Sequence, residues 1–247
     1  MKAIAYQIME ETEESFWWYR ARRDIISATI GRVLPPGCAI VDFGCGTGTN
    51  SAALQSLGYD VIGADVSERA LAVCRCKGIP AVNLTTERLG DGSADCVLAG
   101  DVLEHLQDDV GALVDLRRTL RRGGLLVAAV PAYEFLWSGE DYVSEHVRRY
   151  TRSTLIRSVR LAGYEPVWCS YFNCLLLPVI TAIKLYKRLF VPRSMYSSDV
   201  TALPQWQNEA LYKIFAFEAK LLRWLRFPVG ASLLIVARPG SWKKQPD

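Results

Sequence analysis

The sequence lacks paired cysteines, a signal peptide and a membrane-length apolar run, and each absence excludes a class of protein. Its seven cysteines include no Cys-x-x-Cys pair, so the four convergent ligands of a structural zinc site are missing. The N-terminal stretch is acidic and has no long apolar run, unlike a signal peptide. No uninterrupted apolar stretch reaches the ~18 residues that cross a bilayer. We therefore expect a cytoplasmic protein with free thiols and no metal site.

The sequence also lacks a strong excess of charge of either sign. Its 29 basic and 26 acidic side chains give a formal net charge of +3, which is too small to indicate a nucleic-acid partner. Half of its residues are hydrophobic and 22% are charged, as in a globular protein. Its 247 residues can form one sizeable α/β domain with additional segments.

Short apolar runs alternate with helix-like segments along most of the chain. The runs are nearly all apolar, which is typical of strands buried on both faces of a parallel sheet. Strands that alternate with helices predict a doubly wound α/β fold. The predicted strands are residues 39–43, 60–64, 80–84, 95–99, 125–130, 164–172 and 231–237.

A glycine-rich loop follows the first predicted strand and opens a predicted helix. Gly44, Gly46 and Gly48 alternate with other residues, so the backbone can turn sharply and approach a ligand closely. The helix that follows can receive an anionic group, such as the carboxylate of a cofactor, at its N-terminus. A dinucleotide fingerprint would place its third glycine at Thr49 instead, so the spacing argues against a nicotinamide or flavin dinucleotide.

Two acids flank this loop at the ends of the first two predicted strands. Asp42 precedes the glycines, at a position that is usually apolar in dinucleotide-binding folds. Asp65 ends the second strand, 21 residues beyond Gly44, where a carboxylate can accept both ribose hydroxyls of an adenosyl group. The two acids therefore favour an adenosyl cofactor with a charged amino-acid end.

The stretches VDFGCGTGTN and GADVS resemble the first two motifs of the class I S-adenosylmethionine-dependent methyltransferases. LAGDVLEHLQD (98–108) and LRRGGLLVAAVP (120–131) resemble the motifs of the fourth and fifth strands of that family. The resemblance covers residues 38–172 and the last strand. It implies a Rossmann-like seven-stranded sheet, S-adenosylmethionine as cofactor, S-adenosylhomocysteine as product and a small-molecule substrate.

The resemblance also assigns cofactor contacts to the ends of the strands. Asp42 would hold the loop and bind the ammonium group, Asp65 would hold the ribose, and Val66 would pack on the adenine ring. Asn83 stands where the family often has an acid that accepts from the adenine amino group, and Leu84 would offer its backbone amide to the ring. The remaining implied contacts are Gly44, Gly46, Gly100 and Asp101, with Arg20 or Arg23 pairing with the cofactor carboxylate.

The two histidines of the chain are the catalytic candidates. His105 follows the fourth predicted strand and His146 follows the fifth, so both belong to the edge that faces the ligand crevice. Methyl transfer from a sulfonium depends mainly on positioning and desolvation. A base helps when the nucleophile carries a proton. We expect His146 to act on turnover and His105 to act mainly on the shape of the pocket.

Two further stretches resemble a subgroup of these methyltransferases. One is His146-x-Arg-Arg-Tyr after the fifth strand, and the other is Trp17-Trp18-Tyr19-Arg20 near the N-terminus. In one interpretation the N-terminal aromatics form a helix packed on the core. In the other they form a lid over the cofactor.

Breaks in the pattern divide the chain into three parts. Residues 1–36 form an N-terminal helical cap that ends at a Pro-Pro-Gly break. Residues 37–172 and 229–239 form the cofactor-binding core. Residues 173–228 form a helical insertion before the last strand, far longer than a usual connection. It is interpreted as a lid over a hydrophobic pocket, as a homodimer interface or as a peripheral membrane contact.

The lid interpretation makes a specific prediction about the insertion. At least one of its helices would cover the carboxyl ends of the fourth and fifth strands, and an aromatic side chain would line an apolar cavity beside the transferred methyl group. The candidates are Trp206, Phe215 and Trp224. The function that follows is methyl transfer to a small, partly hydrophobic or lipid-linked metabolite. The alternative is a non-catalytic or membrane-docked partner protein that retains the fold.

Overall fold

The computed structural model describes residues 3–192, 198–200 and 203–240, and its core is a single seven-stranded sheet. In chain order the strands are β1 (Ala39–Phe43), β2 (Asp60–Asp65), β3 (Ala81–Asn83), β4 (Ala94–Gly100), β5 (Leu120–Pro131), β6 (Tyr164–Phe172) and β7 (Ser232–Pro239). From edge to edge they are arranged β3-β2-β1-β4-β5-β7-β6. β7 runs antiparallel to β5 and β6, whereas the pairs from β3 to β5 are parallel. The predicted doubly wound seven-stranded sheet is confirmed.

Helices cover both faces of this sheet. They also cover the side where the parallel strands have their carboxyl ends, which is called the carboxyl edge. Within the described residues they are α1 (Ala3–Thr12), α2 (Trp17–Val33), α3 (Thr49–Ser56), α4 (Glu68–Cys76), α5 (Asp109–Thr119), α6 (Gly139–Val143), α7 (Arg152–Leu161), α8 (Leu177–Phe190) and α9 (Gln205–Leu221). Ser67 caps α4, because its hydroxyl accepts a hydrogen bond from the amide of Ala70.

Each central strand buries alternate residues on opposite faces of the sheet. In β5, Leu126 and Ala128 belong to the core beneath α5 and α7, whereas Val127 and Ala129 belong to the core beneath α2, α3 and α9. All four residues are fully buried. Burial on both faces explains why these strands are continuous apolar runs in the sequence.

The predicted element boundaries are least accurate around β5. This strand begins at Leu120 rather than at residue 125, because Leu120 already pairs with Ala94 before an irregularity in the register. The arginines and glycines at residues 121–124, just before the predicted start, therefore belong to the strand. β1 and β6 have the predicted bounds.

The second helix of the insertion, α9, packs on the sheet face that α2 also covers. Phe215 is fully buried there, stacked on Phe172 with 6.0 Å between ring centroids and edge-on to Trp17 at 5.9 Å. Trp206 and Trp224 are 70% and 80% exposed, so neither lines an enclosed cavity. The lid prediction is therefore wrong for α9, because its buried face packs on the core instead of covering the crevice.

The first helix of the insertion, α8, lies beside the segment that follows β5. The ammonium of Lys184 donates to the carbonyl of Leu136 at 2.8 Å and to the hydroxyl of Ser138 at 3.1 Å. Burial lowers the pKa of Lys184 to about 8. α8 has no fully buried residue among those described; Ile180 packs on the core, and most of the other apolar side chains are exposed. This helix is the part of the insertion that borders the carboxyl edge of the sheet.

In the described part of the chain, no helix is both long enough and apolar enough to cross a membrane.

Candidate functional site

The glycine loop turns tightly between β1 and α3 and leaves no room for side chains at two positions. Gly44 and Gly48 have φ angles of +72° and +81°, in the left-handed region that favours glycine. A Cβ atom at Gly44 would lie 2.5 Å from Cγ2 of Val102, and one at Gly48 would lie 2.6 Å from Sγ of Cys74. The loop conformation therefore depends on glycine at both positions.

Asp65, at the end of β2, holds this loop through its carboxylate. Oδ2 accepts a hydrogen bond from the amide of Gly46 at 2.9 Å, and Oδ1 accepts one from the amide of Ser67 at 2.9 Å. The phenol of Tyr6, on α1, also donates to Oδ1 at 3.4 Å. The predicted ribose acceptor thus lies directly against the glycine loop, with its carboxylate held in place by backbone amides.

Asp42 lies behind the loop and is almost completely buried. Its Oδ2 accepts a hydrogen bond from the hydroxyl of Ser51 on α3 at 2.7 Å. Burial raises the pKa of Asp42 to about 6, while the hydrogen bond from Ser51 and the charge of Arg22 act in the opposite direction. Its charge therefore changes in the range between mildly acidic and neutral pH.

The N-terminal segment lies across the loop, which sequence reasoning missed. The terminal carbon of Met9 is 3.2 Å from the position that a Cβ atom of Gly46 would occupy. The buried carboxylate of Glu13 accepts hydrogen bonds from the hydroxyls of Thr47 and Thr49. The N-terminal sequence contains no motif that predicts these contacts. Its acidic residues indicated only that it is not a signal peptide.

Arg20 does not reach the loop in this structure. Its guanidinium pairs with Glu209 and lies over the ring of Tyr212 at 4.0 Å, so it ties α2 to α9. The predicted contact of Arg20 with the cofactor carboxylate is therefore not supported. The physical reason is helical geometry: Arg20 and Arg22 are two positions apart on α2, so their side chains point in different directions.

Arg22 is the arginine of α2 that reaches the carboxyl edge. It is 5% exposed, and its Nη2 lies 2.7 Å from Oδ2 of Asp101 and 3.3 Å from the position of a Cβ atom on Gly100. Asp101 itself has a φ of +53°, an unusual backbone conformation for a residue with a side chain. Arg23, the other predicted arginine, donates to the backbone carbonyl of Glu13 at 3.3 Å.

The predicted adenine contacts are only partly available. Val66 is 61% exposed, so its side chain is accessible to a ring. The amide of Leu84 already donates to the carbonyl of Asp65 at 2.9 Å, which is inconsistent with the predicted bond from this amide to the adenine. Asn83 is also engaged, since its Oδ1 accepts from the amide of Thr85 at 2.9 Å and its Nδ2 donates to Glu68 at 2.8 Å.

The two histidines come together at the carboxyl ends of β4 and β5. The rings of His105 and His146 lie edge to face with centroids 4.6 Å apart. Nδ1 of His146 is 2.9 Å from Oδ1 of Asp141, and Nε2 is 3.9 Å from Oε1 of Glu104. Burial lowers the pKa of His105 to about 4, so its ring is neutral near pH 7.

Asp141 organises this cluster from the N-terminal turn of α6. Both of its carboxylate oxygens accept hydrogen bonds from the guanidinium of Arg149, at 2.7 and 2.8 Å. Burial would raise the pKa of Asp141, but the hydrogen bonds from His146 and Arg149 hold it well below its usual range. The sequence contained no signal for this role, because Asp141 and Arg149 only come together when the loop folds.

The remaining residues of the His-x-Arg-Arg-Tyr stretch anchor the same loop to α5. The phenol of Tyr150 donates to Oδ2 of Asp109 at 2.8 Å, and Nη1 of Arg148 donates to Oδ1 at 2.9 Å. Tyr150 is buried. These contacts hold the segment that follows His146 against α5.

The comparisons with known sequences match the core of the chain. A methyltransferase-domain family model matches residues 41–128. An uncharacterised transposon-encoded protein of Streptomyces fradiae is 38% identical over 136 residues, which are 51% of this chain and 39% of that protein. A ubiquinone biosynthesis O-methyltransferase of Cereibacter sphaeroides is 36% identical over 152 residues, 53% of this chain and 62% of that enzyme. The chain spans less than two thirds of the length of these relatives.

Solved structures match nearly the whole chain at low identity. A Haloferax volcanii protein solved in complex with the Trm112 methyltransferase activator has a TM-score of 0.63 and 17% identity, and the match covers 98% of this chain and 97% of that one. A second match is the 1,6-didemethyltoxoflavin-N1-methyltransferase of Burkholderia thailandensis, solved with 1,6-didemethyltoxoflavin and S-adenosylhomocysteine. It has a TM-score of 0.55 and 16% identity, and the match covers 91% of this chain and 81% of that one. These matches confirm the fold.

Proposed function

We propose that this chain is a class I S-adenosylmethionine-dependent methyltransferase that transfers a methyl group to a small, partly hydrophobic metabolite. The observation that carries the proposal is the carboxylate of Asp65, held against the glycine loop by the amides of Gly46 and Ser67. This carboxylate, next to a loop with glycine at three of its positions, fits the ribose of an adenosyl group. When bound, S-adenosylmethionine would supply an activated methyl group.

The residues on the cofactor side have separate tasks in this proposal. Asp65 accepts hydrogen bonds from the ribose, and the exposed side chain of Val66 packs on the adenine. Asp42, ionised above about pH 6, attracts the ammonium group directly or through water. Arg22, beside Gly100 and Asp101, replaces Arg20 as the partner of the cofactor carboxylate.

On the acceptor side, His146 is proposed to take the proton that an oxygen nucleophile loses. Its Nδ1 faces Asp141, which fixes the ring and favours the tautomer with a free lone pair on Nε2. The relatives that act in ubiquinone biosynthesis are O-methyltransferases, which supports an oxygen acceptor over a nitrogen or carbon acceptor. His105, which is neutral, packs against the ring of His146 and shapes the pocket.

The exposed face of α8 supports a partly hydrophobic or lipid-linked acceptor. Tyr186, Leu189 and Phe190 are 61–69% exposed, and the basic side chains of Lys187 and Arg188 lie on the same helix. An apolar surface with basic neighbours is typical of contact with an anionic lipid surface. Flotation with vesicles that contain anionic lipid tests this contact, and gel filtration tests a homodimer as the competing occupant.

The test of the proposed function is methyl transfer itself. The purified chain would be incubated with S-adenosylmethionine labelled in its methyl group and with a fractionated metabolite extract. We expect the label in a small molecule that carries an aromatic hydroxyl group. Binding of S-adenosylhomocysteine without transfer of the label to any fraction would favour the alternative of a non-catalytic partner protein.

A further inference from the structure

Three side chains at the carboxyl edge converge in a way that methyl transfer does not require. Glu104 and His105 lie in the single turn (Leu103–His105) that follows β4, and His146 approaches from the loop after α6. One donor atom from each residue lies within 4.8 Å of the other two. The set combines two imidazole nitrogens with one carboxylate oxygen.

Glu104 is the unusual member of this cluster. Its side chain is fully buried, and neither carboxylate oxygen receives a hydrogen bond from another described residue. A buried carboxylate without hydrogen bonds is strongly destabilised. Burial, followed by the charge of Asp101, raises its pKa well above the usual range. The carboxyl group therefore needs either a proton or a positively charged ligand.

The two histidines are both prepared to offer a lone pair. Nδ1 of His105 is buried and has no hydrogen-bond partner among the described residues, and its ring is neutral near pH 7. Nδ1 of His146 is occupied by the carboxylate of Asp141, which turns Nε2 towards Glu104. A carboxylate behind the imidazole is the usual arrangement around a metal-bound histidine.

The charges around the cluster leave Glu104 without a dedicated cation. Arg22 lies 2.7 Å from Asp101, and Arg149 is bound by both oxygens of Asp141. Each arginine thus has its own carboxylate. Among the described residues, only Nε2 of His146, 3.9 Å from Oε1, lies within ion-pair distance of Glu104.

We propose that Glu104, His105 and His146 bind a divalent transition-metal cation of the zinc type. Two imidazoles and one carboxylate suit Zn²⁺ or Co²⁺, whereas Mg²⁺ prefers oxygen ligands. Zn²⁺ lies about 2.0–2.2 Å from such donors, so side chains whose donors are within 4.8 Å need to approach by only about 1 Å. Three protein ligands leave a fourth position for water or for an acceptor oxygen.

Metal binding would also compete with one step of the proposed function. The lone pair on Nε2 of His146 cannot bind a cation and accept a proton at the same time. If His146 is the proton acceptor, which rests on the proposed function, Zn²⁺ inhibits methyl transfer with the same affinity with which it binds. The site itself does not depend on that role.

The experiment is a titration of the chelator-treated full chain with Zn²⁺, Co²⁺ and Mg²⁺, followed by calorimetry and thermal unfolding. We expect about one Zn²⁺ per chain, a higher unfolding temperature in its presence, and no response to Mg²⁺. Glu104→Gln and His105→Ala should each weaken Zn²⁺ binding at least about tenfold. Circular dichroism verifies that each variant is folded, and the two variants provide independent tests.

Cysteine thiolates are the main competing ligands, and a matched variant separates them from the cluster. Cys74→Ala removes a buried thiol near the glycine loop and should leave the Zn²⁺ affinity unchanged. Bound Co²⁺ should lack the charge-transfer band of a thiolate ligand. Three results would overturn the proposal: Zn²⁺ binding that survives both Glu104→Gln and His105→Ala, Zn²⁺ binding that disappears in Cys74→Ala, and the absence of stoichiometric binding. If there is no stoichiometric binding, the buried carboxyl of Glu104 holds a proton.

Discussion

Two regions of the carboxyl edge differ in how fully their buried polar groups are paired. One is the proposed cofactor half, around the glycine loop, and the other is the proposed acceptor half, around Glu104, His105 and His146. Around the glycine loop, Asp65 accepts from two backbone amides and Asp42 from a hydroxyl. Beyond β4, both oxygens of Glu104 and Nδ1 of His105 lack hydrogen bonds from other described residues. The proposed cofactor half therefore has its shape fixed by its own hydrogen bonds, whereas the proposed acceptor half leaves polar atoms unpaired.

The two halves also differ in how their residues are distributed along the chain. The acids and glycines of the cofactor half lie on β1, β2 and the loop between β1 and α3, within one βαβ unit. The acceptor half joins Glu104 after β4 with Asp141 and His146 after β5. A local motif can encode the first arrangement, but only the folded chain assembles the second.

The largest effect that would sharpen this comparison is expected at His146. If it accepts the proton of the nucleophile, His146→Ala should lower kcat by about 10²–10⁴ and leave the affinity for S-adenosylhomocysteine unchanged. His105→Ala should change KM for the acceptor more than kcat. Steady-state kinetics with the identified acceptor measure both. Equal and small effects of the two substitutions would show that neither histidine is a base.

The next largest effect concerns Asp65 in the cofactor half. Hydrogen bonds to a charged group contribute roughly 1.5–3 kcal/mol each, so Asp65→Ala should weaken S-adenosylhomocysteine binding by about tenfold or more. Asp60→Ala, at the other end of β2, removes an exposed acid and is the matched control. Calorimetry gives the affinities, and circular dichroism verifies the fold. An unchanged affinity in Asp65→Ala would mean that the ribose is held elsewhere.

A smaller, pH-dependent effect is expected from Asp42. Its pKa is raised to about 6, so the carboxyl is largely protonated at pH 5 and ionised at pH 7.5. Because only the ionised form attracts the ammonium of the cofactor, affinity should rise several-fold across this interval. Asp42→Asn should flatten the profile, as titration calorimetry at several pH values would show. A profile of the same slope in the variant would assign the titration to another group.

The smallest effect is expected at Arg20. Its partly exposed ion pair with Glu209 contributes little to stability, because solvent screens it, and its guanidinium points to α9. Arg20→Ala should therefore leave cofactor affinity within about twofold of the wild type, whereas Arg22→Ala should weaken it clearly. Fluorescence titration of both variants is sufficient. A large loss in Arg20→Ala alone would restore the original prediction for this residue.

The sequence predicted the sheet well because burial on both faces leaves a strong apolar pattern. It predicted the glycine loop because the fold requires glycine beside Val102 and Cys74, and that requirement is visible as a glycine pattern in the sequence. It did not predict the ion pair of Asp141 with Arg149 or the contact of Glu13 with the loop, since neither has a periodic signal. Trp206 and Trp224 were misjudged because an apolar helix can pack on a sheet or cover a crevice with the same spacing.

The central claim is that the glycine loop and its two acids bind an S-adenosyl cofactor. Calorimetric titration of the wild-type chain with S-adenosylhomocysteine and with NAD tests it most directly. We expect saturable binding of S-adenosylhomocysteine with one site per chain and no heat of binding from NAD. Tight binding of NAD without binding of S-adenosylhomocysteine would contradict the claim.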